Sequence, residues 1–148
     1  MLAAIRPDDV NVALLVHVLG AMVLVGGLLT AATAGLVGWR DEGEGELARL
    51  AYRTLLLVAL PAFVVMRLAA EWVYAEENLD AVADDPAWIG IGYITADLGG
   101  LLLLVALVLG GIGLRRDRGR LLKTAVVLAT LLVAVYVIAV WAMGAKPA

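Results

Sequence analysis

Four long apolar blocks alternate with short charged segments along the chain, at about 10–38, 50–74, 88–114 and 121–143. Each is at least as long as the roughly 20 residues a helix needs to cross the hydrocarbon of a bilayer. Hydrocarbon offers no water to open backbone groups, so runs of this length must close their own hydrogen bonds as helices. The pattern predicts an all-α membrane protein with one domain over residues 1–148, a four-transmembrane-helix bundle of two helical hairpins. Spans one and three end alike, in GLVGWRD (35–41) and GGIGLRRD (110–117), a short match that hints at duplication of a hairpin.

Composition strengthens this picture. The chain is 64% hydrophobic and its mean hydropathy is +0.98, whereas a soluble domain is about half apolar. Its charged residues, 17% of the total, collect between the blocks. There is no cysteine, which excludes disulfides, thiol redox chemistry and cysteine-held clusters. The N-terminus sets one arginine, Arg6, against Asp8 and Asp9. Lacking a basic leader and carrying too long an apolar run for a signal peptide, the first block is expected to be a retained span.

Charge also orients the bundle. The first and third connections carry Arg40, Arg49, Arg53, Arg115, Arg116, Arg118, Arg120 and Lys123, while the middle one has Glu76, Glu77, Asp80, Asp84 and Asp85 and no Lys or Arg. The positive-inside rule then places the basic connections in the cytoplasm and both termini outside, as in a bacterial inner-membrane protein. Trp72, Tyr74, Trp88, Tyr93 and Trp141 fall near the outer ends, as an aromatic belt does. The acidic middle segment EENLDAVADD (76–85) is expected to form a short surface helix.

Each block carries a polar residue at similar depth: His17, the chain's one histidine, then Arg67, Asp97 and Tyr136, each about 10–13 Å below the outer surface at 1.5 Å per residue. Glu71 lies one turn above Arg67 on the same helix face. Stepping from His17 at helical spacing gives Gly20, Ala21, Leu24, Gly27, Ala31, Ala34 and Gly38, and similar small-residue neighbours accompany Asp97 and Tyr136. Small residues mark faces where helices approach, so the four groups are expected to turn toward a shared interior. Pro61 is expected to kink span two just below Arg67. Ionisable groups inside a membrane cost up to about 2.5–3.5 kcal/mol on insertion scales, the value at the helix centre, and are functional candidates by default. An Arg67–Asp97 ion pair that merely locks two spans is the competing reading.

The run LLVHVLGAMVLVGGLL (14–29) resembles the first helix of the CopD-like and HemJ-like four-helix membrane proteins of bacteria, with His17 ahead of Gly26 and Gly27. The terminal WAMGAKP (141–147) is similar to the ending of related integral membrane proteins. The HemJ-like resemblance implies that His17 is a haem ligand, and the CopD-like one implies copper handling. The additional histidines of a di-haem cytochrome are missing.

Three functions follow from these residues. The first is a haem b or copper site centred on His17, with Met66 or Met143 as a second ligand and Arg67 and Tyr136 completing the pocket. The second is a proton- or ion-coupled transporter in which Arg67, Glu71 and Asp97 form the relay with His17, in a homodimer joined through Gly-rich faces. The third is a non-catalytic membrane scaffold whose basic loop holds anionic lipid headgroups. No phosphate loop, dinucleotide fingerprint or zinc-protease motif is present, and nothing points to a nucleic-acid partner.

Overall fold

The computed structural model describes residues 8–39, 44–76 and 87–144, with side chains described for 12–39, 45–76 and 90–141. The elements are α1 (Asp8–Gly38), α2 (Glu44–Thr54), a π-helical turn (Leu55–Ala59), α3 (Leu60–Glu76), α4 (Ala87–Arg115) and α5 (Gly119–Gly144). The α2–π–α3 rod is continuous, so the chain has four stretches long and apolar enough to cross a membrane: Val12–Gly38, Gly45–Glu76, Gly90–Arg115 and Gly119–Trp141. It is a multi-pass membrane protein with an all-α four-helix bundle. Of the acidic segment 76–85, expected as a surface helix, Glu76 ends α3 and the rest lies outside the described residues.

Span two begins earlier than its apolar block because α2 is amphipathic. Ala51 and Leu55 are buried, while Glu46, Arg49 and Arg53 point outward. Helical structure therefore continues past the point where hydropathy falls. The disturbance that Pro61 signals takes a definite form. The distortion is a widened turn just before it, in which the Leu60 N–H reaches the Leu55 carbonyl, five residues back. A proline ring clashes with the carbonyl four residues before it, and a π turn moves that carbonyl away.

Small residues set the packing. A Cβ added at Gly20 would lie 3.0 Å from the Met66 backbone, and one at Gly27 would lie 3.2 Å from Val58, so α1 and span two lie backbone to backbone. Gly35 takes Val126 of α5, Gly99 of α4 takes Tyr136 of α5, and Gly113 takes Leu122. In spatial order the helices run span two, α1, α5, α4. Span two meets α4 through longer side chains: Phe63 fills the notch at Gly100, and Tyr52 lies over Gly110 and Gly111. Leu24, Leu28, Leu103 and Leu132 are fully buried at the centre.

The turn joining α4 to α5 is a Schellman cap. Asp117 takes the left-handed conformation (φ 49°), and the Arg118 N–H closes back on the Gly113 carbonyl at 2.9 Å. Aspartate tolerates this conformation better than most residues. The cap places Arg115, Arg116, Arg118, Arg120 and Lys123 outside the bundle, all exposed.

Candidate functional site

At the end opposite the arginine-rich turn, α3 and α4 carry a polar network. Arg67 pairs with Glu71 one turn up its own helix, and its Nε lies 3.7 Å from Asp97 Oδ1 of α4. Its guanidinium sits 4.9 Å from the Tyr93 ring centroid, a cation–π contact. The Tyr93 hydroxyl donates to Glu71 at 3.4 Å, and Tyr74 meets the Tyr93 ring edge-on at 5.9 Å. Arg67 thus runs its apolar stem along α3 and delivers its charge toward the helix end, as snorkelling arginines do.

The network faces outward. Arg67 is 26% exposed, Glu71 50% and Asp97 71%. The expectation of a shared interior therefore fails for Asp97, and the reason is angular. Gly100, three residues on, is buried against Phe63, but residues three apart on a helix differ by about 60°. The buried stripe of α4 runs through Gly99, Leu103, Ala106 and Gly110. Asp97 stands beside that stripe, on its α3 side, and the α4 face around it points out of the bundle: Ile94, Leu98 and Leu101 are exposed.

His17 goes elsewhere. Its Nδ1 lies 3.0 Å from the Met66 carbonyl, to which an Nδ1–H donates. The contact is possible because Gly20, one turn on, lets α1 lie against the α3 backbone at the same residue. Met66 is buried and its main chain, not its sulfur, is what His17 engages. The Nε2 nitrogen makes no hydrogen bond to the described residues. Tyr136 is 5% exposed and its hydroxyl, wedged against Gly99, has no partner among the described residues. The side chain of Met143, the other candidate ligand, lies outside the described ones. The structure thus joins Arg67, Glu71 and Asp97, with Tyr93, through side-chain contacts, whereas His17 engages the Met66 main chain and Tyr136 packs against Gly99.

Among the described residues no three His, Cys, Asp or Glu side chains group as metal ligands do. A cavity of about 40 Å³ lies at the arginine-rich end, lined by Gly35, Trp39, Tyr52, Gly110, Lys123 and Val126 among others. Helical spacing puts Tyr93 one turn from Asp97 on the same face, but its contacts with Arg67 and Glu71, like this cavity, have no signal in the sequence. Compared with protein-family models, with curated proteins and with solved structures, the chain matches none of them.

Proposed function

We propose that the protein is a non-catalytic membrane scaffold that works as a pair of identical copies, joined through the α3/α4 face. The observation that carries this reading is Asp97, a carboxylate 71% exposed on the flank of a membrane span, among exposed Ile94, Leu98 and Leu101. Facing acyl chains, an acidic side chain costs about 2.5–3.5 kcal/mol at the bilayer centre. One long contact to Arg67 leaves most of its surface bare. A second protein surface would cover it, and interhelical polar contacts in membranes contribute about 0.6–2 kcal/mol each. A two-fold interface must be self-complementary, and this face carries both a guanidinium and two carboxylates. The glycines expected to join two copies, Gly99, Gly100, Gly110, Gly111 and Gly113, all meet internal neighbours. The proposed pair therefore uses charge and large apolar side chains instead.

Sedimentation or mass photometry in lipid nanodiscs and mild detergent tests this. The wild type is expected as a dimer, and Asp97→Leu should weaken it about tenfold or more, equivalent to about 1.4 kcal/mol. A wild-type monomer in lipid, or a variant that pairs equally well, contradicts the reading.

One observation favours haem at His17 as a second reading. A ligating histidine usually gives its other ring N–H to a carbonyl or carboxylate, and His17 Nδ1 has such a carbonyl in Met66. Haem brings four nitrogens of its own and needs from the protein only axial ligands, which suits a lone imidazole better than a closed copper site does. A Soret band near 400 nm in gently purified protein, lost in His17→Ala, supports it; protein with no such band after haem supplementation contradicts it. We place the arginine-rich connections in the cytoplasm and both termini outside, in a bacterial inner membrane, from the asymmetry of Lys and Arg.

A further inference from the structure

The arginine-rich end carries a second feature, independent of the outer network. Arg49, Arg53, Arg115, Arg116, Arg118, Arg120 and Lys123 are all exposed there, against the described carboxylates Glu46 and Asp117. The ion pairs among the described residues join Arg67 to Glu71 and Asp97, at the other end. Within this basic field Lys123 holds its ammonium 5.9 Å from the Trp39 ring centroid, at the cleft between α1, α2 and α5 that both residues line. Arg120 stands one turn before Lys123 on α5, on the same side. Orientation in the membrane needs only a sufficient number of positive charges near the span ends. It does not need a lysine set over an indole at the mouth of a cleft.

We infer that this mouth binds the phosphate of an anionic phospholipid from the adjoining leaflet, with Lys123 and Arg120 on the phosphate and Trp39 at headgroup level. The charge is complementary, and an indole with one apolar and one polar edge belongs at that depth. The cleft itself, about 40 Å³, has room for roughly two or three waters. It is too small for an acyl chain, which stays in the bilayer alongside α1 and α5.

The test is lipid competition on the full-length protein, using native mass spectrometry with phosphatidylglycerol and phosphatidylcholine. The wild type should retain phosphatidylglycerol preferentially. The preference should fall about fivefold for each charge removed in Lys123→Gln and Arg120→Gln, at about 1 kcal/mol per basic residue near the surface. Lys123→Arg should preserve it. A wild type that retains both lipids equally, or a double variant with undiminished preference, overturns the inference. Should the double variant not fold, salt decides on the wild type alone, in a spin-labelled lipid assay in nanodiscs. Preference that falls as salt rises supports the phosphate contact, and preference indifferent to salt refutes it.

Discussion

The imidazole of His17 and the phenol of Tyr136 show how differently two polar side chains can be carried inside a membrane bundle. His17 has a partner in a main-chain carbonyl. Removing it in His17→Ala should cost about 0.6–1.5 kcal/mol, in line with interhelical hydrogen bonds in lipid, measured by reversible unfolding in mixed micelles. Tyr136 has a buried hydroxyl without a partner among the described residues, and a buried polar group left unpaired costs about 1–3 kcal/mol. Tyr136→Phe, which keeps the ring against Gly99, should therefore be neutral or stabilising. A clear loss of stability would mean that the hydroxyl is occupied, and the scaffold reading would lose ground to a ligand-binding one. Threonines in the spans avoid the problem locally: Thr30, Thr54 and Thr130 return their hydroxyls to the carbonyl one turn back, at 2.8–2.9 Å, a bond any helix offers.

At the scale of elements, glycine placement decides how the helices meet. Gly20 and Gly26 sit on the same helix, yet a Cβ at Gly20 would press on the Met66 backbone, while one at Gly26 would meet nothing within 4 Å. Gly20→Ala should cost about 1–3 kcal/mol by forcing α1 and α3 apart, and should loosen the His17 bond with it. Gly26→Ala should be neutral or gain up to about 1 kcal/mol from helix propensity. Thermal unfolding of the two variants side by side checks both. The small-residue face of α1 was legible in the sequence because every member recurs at helical spacing and is buried or half-buried. The orientation of Asp97 was not. Its neighbour Gly100 is buried, but the stripe of α4 is centred on Gly99 and Leu103, and small residues on both sides of a stripe blur its edge. The π turn at Leu55–Ala59 was hidden for another reason: Pro61 signals a local disturbance without saying whether the helix bends or widens.

For the molecule as a whole, the number of spans followed from hydropathy and length alone. Which of its polar residues share surroundings depended on rotation about each helix axis, which composition does not fix. The resulting bundle keeps its glycines for internal packing and presents its charged network sideways, at the edge where span two meets α4 through side chains. That arrangement accounts for an exposed carboxylate in a membrane span if another copy covers it. Because the chain contains no cysteine, single cysteines can probe this surface without background. Ile94→Cys and Leu101→Cys flank Asp97 on the exposed face of α4, while Met22→Cys on α1 and Leu131→Cys on α5 are comparably exposed elsewhere. Oxidative cross-linking in native membranes should join two chains through the α4 positions and leave the α1 and α5 positions as monomers; cross-links that form equally at all four sites, or at none, would contradict a pair built on the α3/α4 face.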